Sequence, residues 1–572
     1  MLAVAVLGAG AQSADARSPA PGTLDPSFGA HGLTNLSSGT RFLALTVDPS
    51  GRTVAAGLRE QQDQFGQSTG ATLVVARVTR GGRSDSSFGG GVVSGPPILS
   101  NGVTGSTGSA VAIQRDGKIV VAGTATDPTA IANFGMIVER FNPNGTLDRG
   151  FGSGGVARIF QAENGQAFAV AIQSDGKIVV GGSASALDAG SSTGSPYPRV
   201  ALARLAPNGS PDPGFGSGGT DILPSLGRDA AANAIGLERD GRIAVAGSQR
   251  QNLQTSSALI ARLTPNGSLD GGFAFGGADA HQYAVGGGYS SFQALDVAPD
   301  GRVVAAGSVA NGNSTDGLVV RFTAAGKPDS SFGHAGVVEF PAASNFAFGA
   351  GQVPGPTGVR IAADGTILLA GTFVSSSLGN LDLRALTPSG ASDRRFGGGG
   401  EVKTQGSTGI SLQANALAIA PDGGLVIAGD SATPTGQDTG LVARYIGLTP
   451  SLDPRHPSLS AHSPGGRISF NRGGHATLTI VNGNAIPVSV SVKLVSASRV
   501  RVDRHHLRKV QLASGRNAVR ANGQARISLR LRGGDRALLR RLRGVTAIVT
   551  LTARDSHGNT VTVHQRFRVS SR

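Results

Sequence analysis

Residues 148–212 read DRGFGSGGVARIFQAENGQAFAVAIQSDGKIVVGGSASALDAGSSTGSPYPRVALARLAPNGSPD. The stretch opens on D-x-x-F-G and a Gly-rich turn, then runs through apolar segments to Asp175-Gly176. After that turn comes the β-branched run Lys177-Ile178-Val179-Val180, closed by Gly181-Gly182. A last apolar segment carrying Ala203-Arg204-Leu205 leads to Pro207-Asn208-Gly209 and to the next Asp, Asp212. Short apolar runs bounded by Gly, Asn and Pro read as strands, and no helical periodicity competes with that reading. Asp-Gly between two such runs is a hairpin signal, and a type I′ turn with positive φ at both central residues is expected.

The same unit runs through the first 445 residues. Its opening Phe recurs as Phe28, Phe88, Phe151, Phe215, Phe273, Phe332 and Phe396, about every 61 residues. The hairpin marker keeps the same beat at Ser50-Gly51, Asp116-Gly117, Asp175-Gly176, Asp240-Gly241, Asp300-Gly301, Asp364-Gly365 and Asp422-Gly423. Four strands fit each unit: a after F-G, b before the Asp-Gly turn, c after it, and d carrying the Arg. A four-stranded sheet buries little alone, so units must stack face to face. The expected architecture is all-β: a seven-bladed β-propeller of four-stranded blades, followed by a small β-sandwich. A linear β-solenoid is the alternative, but its coils are usually much shorter than about 60 residues. Asp453 continues the series of Asp residues without a following Phe, so strand d of the last unit must meet strand a of the first.

The D-x-x-F-G, D-G-K-I-V-V-A-G and A-R-L-x-P-N-G-x-L-D elements resemble the delta-60 repeat family of bacterial secreted proteins. The resemblance covers residues 22–454 and implies a propeller-like fold, with no activity common to the family. Three copies depart from it. The first has Asp48-Pro49-Ser50-Gly51 at the hairpin, and the fifth reads Phe273-Ala274-Phe275-Gly276. In the sixth, Arg384 lies one place early and Ala385 takes the usual Arg position.

Within the repeat, Arg77, Arg140, Arg204, Arg262 and Arg321 each precede an Asp by eight residues, namely Asp85, Asp148, Asp212, Asp270 and Asp329. A charged pair supplied five times without variation reads as a structural ion pair bracing the turn after strand d, bidentate where geometry allows. In an antiparallel sheet the b–c and d–a turns share one end and the a–b and c–d connections share the other. The first set is near-constant and the second varies freely, so the a–b/c–d end is the expected binding face. Asp63, Asp127, Asp188, Asp316, Asp430 and Asp438 are its candidate ligand residues, expected on c–d loops.

The sequence holds no H-E-x-x-H, Walker or EF-hand signature, and no catalytic residue, metal ligand or cofactor is assigned. His31 and His334 occupy the same turn region of their copies and read as surface turn residues. There is no Cys, which excludes disulfides and thiol chemistry. Leu2 to Leu7 and the Ala14-Asp15-Ala16 cleavage pattern read as a signal peptide over residues 1–16 whose basic n-region is missing. Secretion, to the medium or the cell envelope, is the expected localisation, and no run is long and apolar enough for a transmembrane helix.

Charge divides the chain. Residues from 460 on hold 21 Lys and Arg against Asp503, Asp535 and Asp555, a net +18, while the preceding 459 residues carry a net −3. The domains are therefore read as a propeller over 22–449, a Pro-rich linker over 450–466, and a basic immunoglobulin-like β-sandwich over 467–572. Its strands are expected at Ala476–Val481, Val488–Val495, Ala525–Leu531, Val545–Ala553 and Thr560–Val569, with a helical turn or two over Asp535–Leu542. Arg501, Arg504, Arg508, Lys509, Arg540, Arg541 and Arg543 are its candidate polyanion contacts. An anionic envelope polymer or surface glycan is the expected partner. Nucleic acid fits less well, because Phe470 and Phe567 are the domain's only aromatics and base stacking lacks platforms. The expected function is a secreted, non-catalytic binding or surface scaffold whose propeller presents variable loops to a carbohydrate or protein. An extracellular propeller hydrolase or lyase acting on polysaccharide is the alternative.

Overall fold

The computed structural model describes residues 20–571 apart from 63–67, 97–104, 128–132, 187–195, 253–254, 285–287, 312–313, 341–356, 376–377, 434–437, 449–458, 464–465, 472, 483–487, 502–506, 520–522, 532–534, 542–544 and 555–559. The signal-peptide segment lies outside these residues. Two compact units meet in the chain at Leu448 and Thr449. The hairpin turn after Gly358–Ile361 leads into Ile367–Ser375 of the same first-unit sheet and is described there.

The first unit consists of antiparallel four-stranded sheets. In the sheet built from the third copy, Gln166–Ile172, Ile178–Ala186 and Tyr197–Leu205 are strands b, c and d, and Thr220–Leu223 is strand a of the fourth copy. Sheet and repeat are therefore out of phase by one strand. Five sheets have this form, and an eight-stranded sixth comprises two such groups joined, among the described residues, by the parallel bridge Ala71↔Gly105. The offset leaves the first strand a, Leu33–Ser38, without its own sheet. It completes the last one by pairing with Asp438–Tyr445, so the series closes as the unmatched Asp453 required. Where an Asn-Gly turn stands in an unbroken copy, two distant segments pair instead: the Ile446 amide donates to the Thr23 carbonyl and the Gly22 amide to Ile446.

The hairpin at Asp-Gly differs from the expected type I′ form. Gly117 has φ +84° while Asp116 stays outside the left-handed region, and the Gly117 amide donates to the Gln114 carbonyl. This is a three-residue loop, a type I turn followed by one left-handed glycine. Only one position then needs glycine, and the Asp carboxylate accepts the amide two residues on, as from Lys118 to Asp116 Oδ1 at 3.1 Å.

Glycine in the middle of strand c has a different cause. Strand b bulges where it passes this residue, with register shifts at Phe42/Ala44, Gly108/Ala110 and Ala167/Ala169 among others. The bulge pushes a carbonyl towards strand c. A Cβ on Gly182 would lie 1.9 Å from the Gln166 oxygen, and one on Gly57 equally close to that of Arg41. Neighbouring sheets pack face to face through apolar residues. Val120, Ala122, Met136 and Val138 of one meet Ile178, Val180, Ala201 and Ala203 of the next, with Phe151 buried between them.

The second unit is one eight-stranded sheet wrapped round a core that includes Leu478, Val492, Leu529, Val549, Phe470 and Phe567. The five expected strands are present as His475–Asn482, Val488–Ser496, Gly523–Leu531, Val545–Arg554 and Thr560–Ser571, with a helix over Asp535–Arg541. Five further strands were not expected: Leu459–His462, Arg467–Phe470 and Gln511–Val519 in this sheet, and the short pair Val500–Arg501 and Leu507–Arg508 outside it. Leu459 and Ala461 are buried, so part of the stretch read as a Pro-rich linker is a strand packed in this core.

The steric cause of the strand-c glycine is testable. Gly182→Ala is expected to lower the unfolding free energy by about 3 kcal/mol or more, because the overlap is with backbone and no rotamer relieves it. Gly398→Ala, where a Cβ would meet nothing within 4 Å, should stay within about 0.5 kcal/mol of the parent. Urea titration of both variants decides it, and equal midpoints would contradict the bulge account.

Candidate functional site

The recurring Arg and Asp come together, but the pair is not bidentate. Arg204 Nε lies 2.6 Å from Asp212 Oδ2, Arg140 2.7 Å from Asp148, and Arg77 2.7 Å from Asp85. The remaining guanidinium nitrogens have other partners. Nη1 donates across the seam to a turn carbonyl of the next sheet: Arg77 to Pro143, Arg140 to Pro207, Arg204 to Pro265, Arg262 to Ala324 and Arg321 to Pro388. Each guanidinium also lies over the opening Phe, 4.5 Å from the ring centroid in Arg140/Phe151 and 5.0 Å in Arg204/Phe215. The residue after Asp-Gly adds a second cation in the third copy, where Lys177 Nζ is 2.9 Å from Asp212. That bond from Lys177, with burial opposing it and the Gly214 amide and Arg204 reinforcing it, holds the Asp212 pKa down to about 2.

The sixth copy shows what replaces the knot. With Ala385 in the Arg position, Asp393 is held by Arg395 two residues on, at 2.6 Å, and Arg384 pairs instead with Asp382 and Glu401 and lies over Phe340. At the closure, Arg444 Nε pairs with Asp25 at 2.8 Å across 419 residues of sequence. These charges are structural throughout.

At the a–b/c–d end, Asp63 and Asp188 lie outside the described residues and Asp127 ends strand Ile119–Asp127. The other candidates stand in strands rather than loops. Asp316 is buried in Ser314–Phe322, Asp430 is buried in Leu425–Ala432, and Asp438 opens its strand. Asp430 and Asp438 meet at the closing seam around Arg41, whose Nε is 3.9 Å from Asp430 Oδ1 and 3.6 Å from Asp438 Oδ2. Glu60 lies 3.9 Å from Arg41 Nη1, and Asn415 donates to Asp430 Oδ1 at 3.1 Å. Burial, opposed by Arg41 and helped by Asp438, raises the Asp430 pKa to about 6. Burial likewise raises Asp438, against Arg41.

Sequence reasoning missed Glu139 and Asp382. Glu139 replaces the Ala or Val that precedes the Arg in several copies, a visible departure from the repeat. It is fully buried against Gly95, neither carboxylate oxygen has a hydrogen-bond partner, and burial lifts its pKa to about 8 despite Arg158. Burial similarly lifts Asp382 to about 7, partly offset by Arg384. Among the described residues no group of three His, Cys, Asp or Glu is placed to hold a metal ion, and no helix is long and apolar enough to cross a membrane.

Of the candidate polyanion contacts in the second unit, Arg504 and Arg543 lie outside the described residues. Arg501 and Arg508 belong to the two strands of a short hairpin, Val500–Arg501 with Leu507–Arg508, and Lys509 follows it exposed. Arg540 and Arg541 end the helix and are exposed. Other cations sit on strands: Arg467, Lys493, Arg516, Arg554, Arg566 and Arg568 are all exposed, and Lys493, Arg566 and Arg568 alternate with residues that turn inward. Period-two alternation in Gln565-Arg566-Phe567-Arg568-Val569 was the available signal.

Residues 114–151, 173–215, 238–273 and 298–332 match a family described as a domain of unknown function (DUF5122) beta-propeller. Each matched segment spans a b–c hairpin, a strand d and an opening Phe, and together with the sheets they define beta-propeller repeats. No curated protein matches the sequence. Similar solved structures include the PQQ-bound aldose sugar dehydrogenase of Streptomyces coelicolor, at 12% identity over 72% of this chain and 97% of that one, with a TM-score of 0.32. Sqt1 of Chaetomium thermophilum is 11% identical over 72% and 98%, with a TM-score of 0.35. A GH43_12 protein retrieved from a capybara gut metagenome is 9% identical over 94% and 91%, with a TM-score of 0.26. At these values no activity carries over.

Two outcomes follow from these groups. Arg204→Met should cost about 3 kcal/mol or more of stability, because Asp212 and the Pro265 carbonyl both lose a buried donor; an unchanged urea midpoint would refute the knot. For Glu139 the unfolded chain releases its proton near 4.5 and the folded chain near 8. Its contribution to stability is therefore complete below about 4.5 and is lost as pH rises to about 8. Glu139→Gln should flatten the fall in stability across that window and exceed the parent at pH 8; parallel pH profiles would contradict it.

Proposed function

We propose that the protein is a secreted, non-catalytic binding scaffold: a seven-bladed propeller that presents its a–b/c–d loops to a carbohydrate or protein, and a basic immunoglobulin-like β-sandwich that holds it at an anionic envelope polymer or surface glycan. The observation that carries this reading is the engagement of the repeat's own charged residues. Arg, Asp and Phe are tied into the seams in five units, and in the sixth copy Asp393 and Arg384 have other partners, so the residues that differ between copies remain for recognition. The described acids at the loop-bearing end support binding over hydrolysis. Asp430 and Asp438 share Arg41 between them, whereas a glycosidase needs two carboxyl groups facing each other across a gap of about 5–10 Å open to substrate. The second unit supports an adhesive role through its net +18 from residue 460 on, which attracts polyanions at low salt.

The test is retention of the full chain on purified envelope fractions and on a glycan array, at low and high ionic strength. Retention on an anionic fraction that falls with salt, together with glycan or protein binding that does not, is the expected pattern. Absence of retention on every fraction at low salt would remove the proposal.

A further inference from the structure

The second unit displays a sheet face whose chemistry is more specific than its net charge. Strands Gln511–Val519, Val488–Ser496, Val545–Arg554, Thr560–Ser571 and Arg467–Phe470 lie side by side in that order. Their inward residues, among them Val490, Val492, Leu551, Phe567 and Ile468, are in the core. Outward, at alternate positions, stand Arg516, Lys493, Arg554, Arg566, Arg568 and Arg467, all exposed. Hydroxyls stand at most positions between them, and Val495 and Ile548 form one half-buried aliphatic pair among them. Ser514, Lys493, Thr550 and His564 oppose one another across four strands, and so do Arg516, Ser491, Thr552 and Thr562. None of the three acids from residue 460 on belongs to these strands. Adjacent strands are about 4.8 Å apart and alternate residues about 6.8 Å, so the cations form a fixed grid rather than a loop cluster.

From this face we infer a binding surface for a linear phosphodiester polymer that carries no bases, its phosphates separated by a short polyol linker. Guanidinium groups and hydroxyls are both phosphate donors, and a grid meets successive phosphates of one extended chain. Bases would find little to stack on, because Phe470 and Phe567 are buried and His564 is left as the one ring among the described outward residues of these strands. The inference rests on the adhesive reading of the second unit and assigns it a face and a ligand class, replacing the hairpin and helix cations.

The full chain is tested against poly(glycerol phosphate), with poly-deoxythymidine and neutral dextran as comparison probes. Lys493→Thr, Arg554→Thr and Arg566→Thr together match the surrounding hydroxyls and suit a strand. This variant should bind poly(glycerol phosphate) at least about tenfold more weakly than the parent and with a shallower salt dependence. Lys509→Gln with Arg540→Gln should bind within about twofold of the parent, since both lie off the face. If the triple variant loses the parent's circular dichroism, the three single variants are read instead, each expected to weaken binding. The reverse pattern, loss with the hairpin and helix variant only, overturns the face and leaves the adhesive reading standing. Tighter binding of poly-deoxythymidine than of poly(glycerol phosphate) overturns the ligand class. A parent that binds no polyanion at low salt removes both readings.

Discussion

In five units one guanidinium ties neighbouring sheets together. Arg204 bonds Asp212 within its own turn, covers Phe215, and donates to the Pro265 carbonyl in the next sheet. A lysine could satisfy the carboxylate, but a point charge offers neither the planar surface for the ring nor a rigid fork that reaches two acceptors in different sheets. The interaction is effective because it is buried and fully occupied. A buried ion pair on its own gains little, since desolvation offsets the attraction. Here the additional carbonyl acceptor and ring contact use donors and surface that would otherwise be stranded.

A parallel series of backbone bonds follows the same seams. The amide after the opening Phe donates to a turn carbonyl of the next sheet, at Gly29 to Gly81, Gly152 to Asn208, Gly216 to Asn266 and Gly333 to Ser389. The last of the series, Gly397, donates to Pro21, which comes from the other end of the first unit. Closure therefore demands no new chemistry. The first strand a supplies its missing edge, Asp25 supplies the carboxylate for Arg444, and Pro21 supplies the carbonyl. Seams formed by the same few atoms are separable from the loops at the far end, which explains why the connections there differ so widely between copies.

Much of this was legible because a repeated sequence reports its own constraints. The strand count, the Asp-Gly hairpins and the structural nature of the Arg–Asp pair followed from spacing. What was hidden depended on contacts between copies. No single copy shows that Arg204 reaches Pro265, nor that the glycine within strand c is required by a bulge in strand b. The turn type was misread for a related reason: Asp-Gly fits both hairpin forms, and loop length rather than the dipeptide selects between them. In the second unit, Leu459–His462 was hidden by the Pro-rich composition on its flanks. The exposed cations on strands were passed over because charge was counted along the sequence rather than by face.

Departures from the repeat put ionisable groups where other copies are apolar. Glu139 and Arg384 stand where other copies have Ala or Val, and both place charge-bearing groups between sheets. Arg384 is matched by Asp382, Glu401 and Phe340. Glu139 is accommodated differently, by remaining protonated: burial raises its pKa to about 8, so at neutral pH the seam contains a neutral acid against Gly95. Asp430, at about 6, has Arg41 and Asn415 near it and lies at the closing seam. Raising the pH therefore works against two seams through different groups. At the Glu139 seam a new charge finds only Arg158, a partner too weakly placed to offset burial. At the closing seam the new charge meets a guanidinium already in position, so closure tolerates ionisation better than the interior seam does.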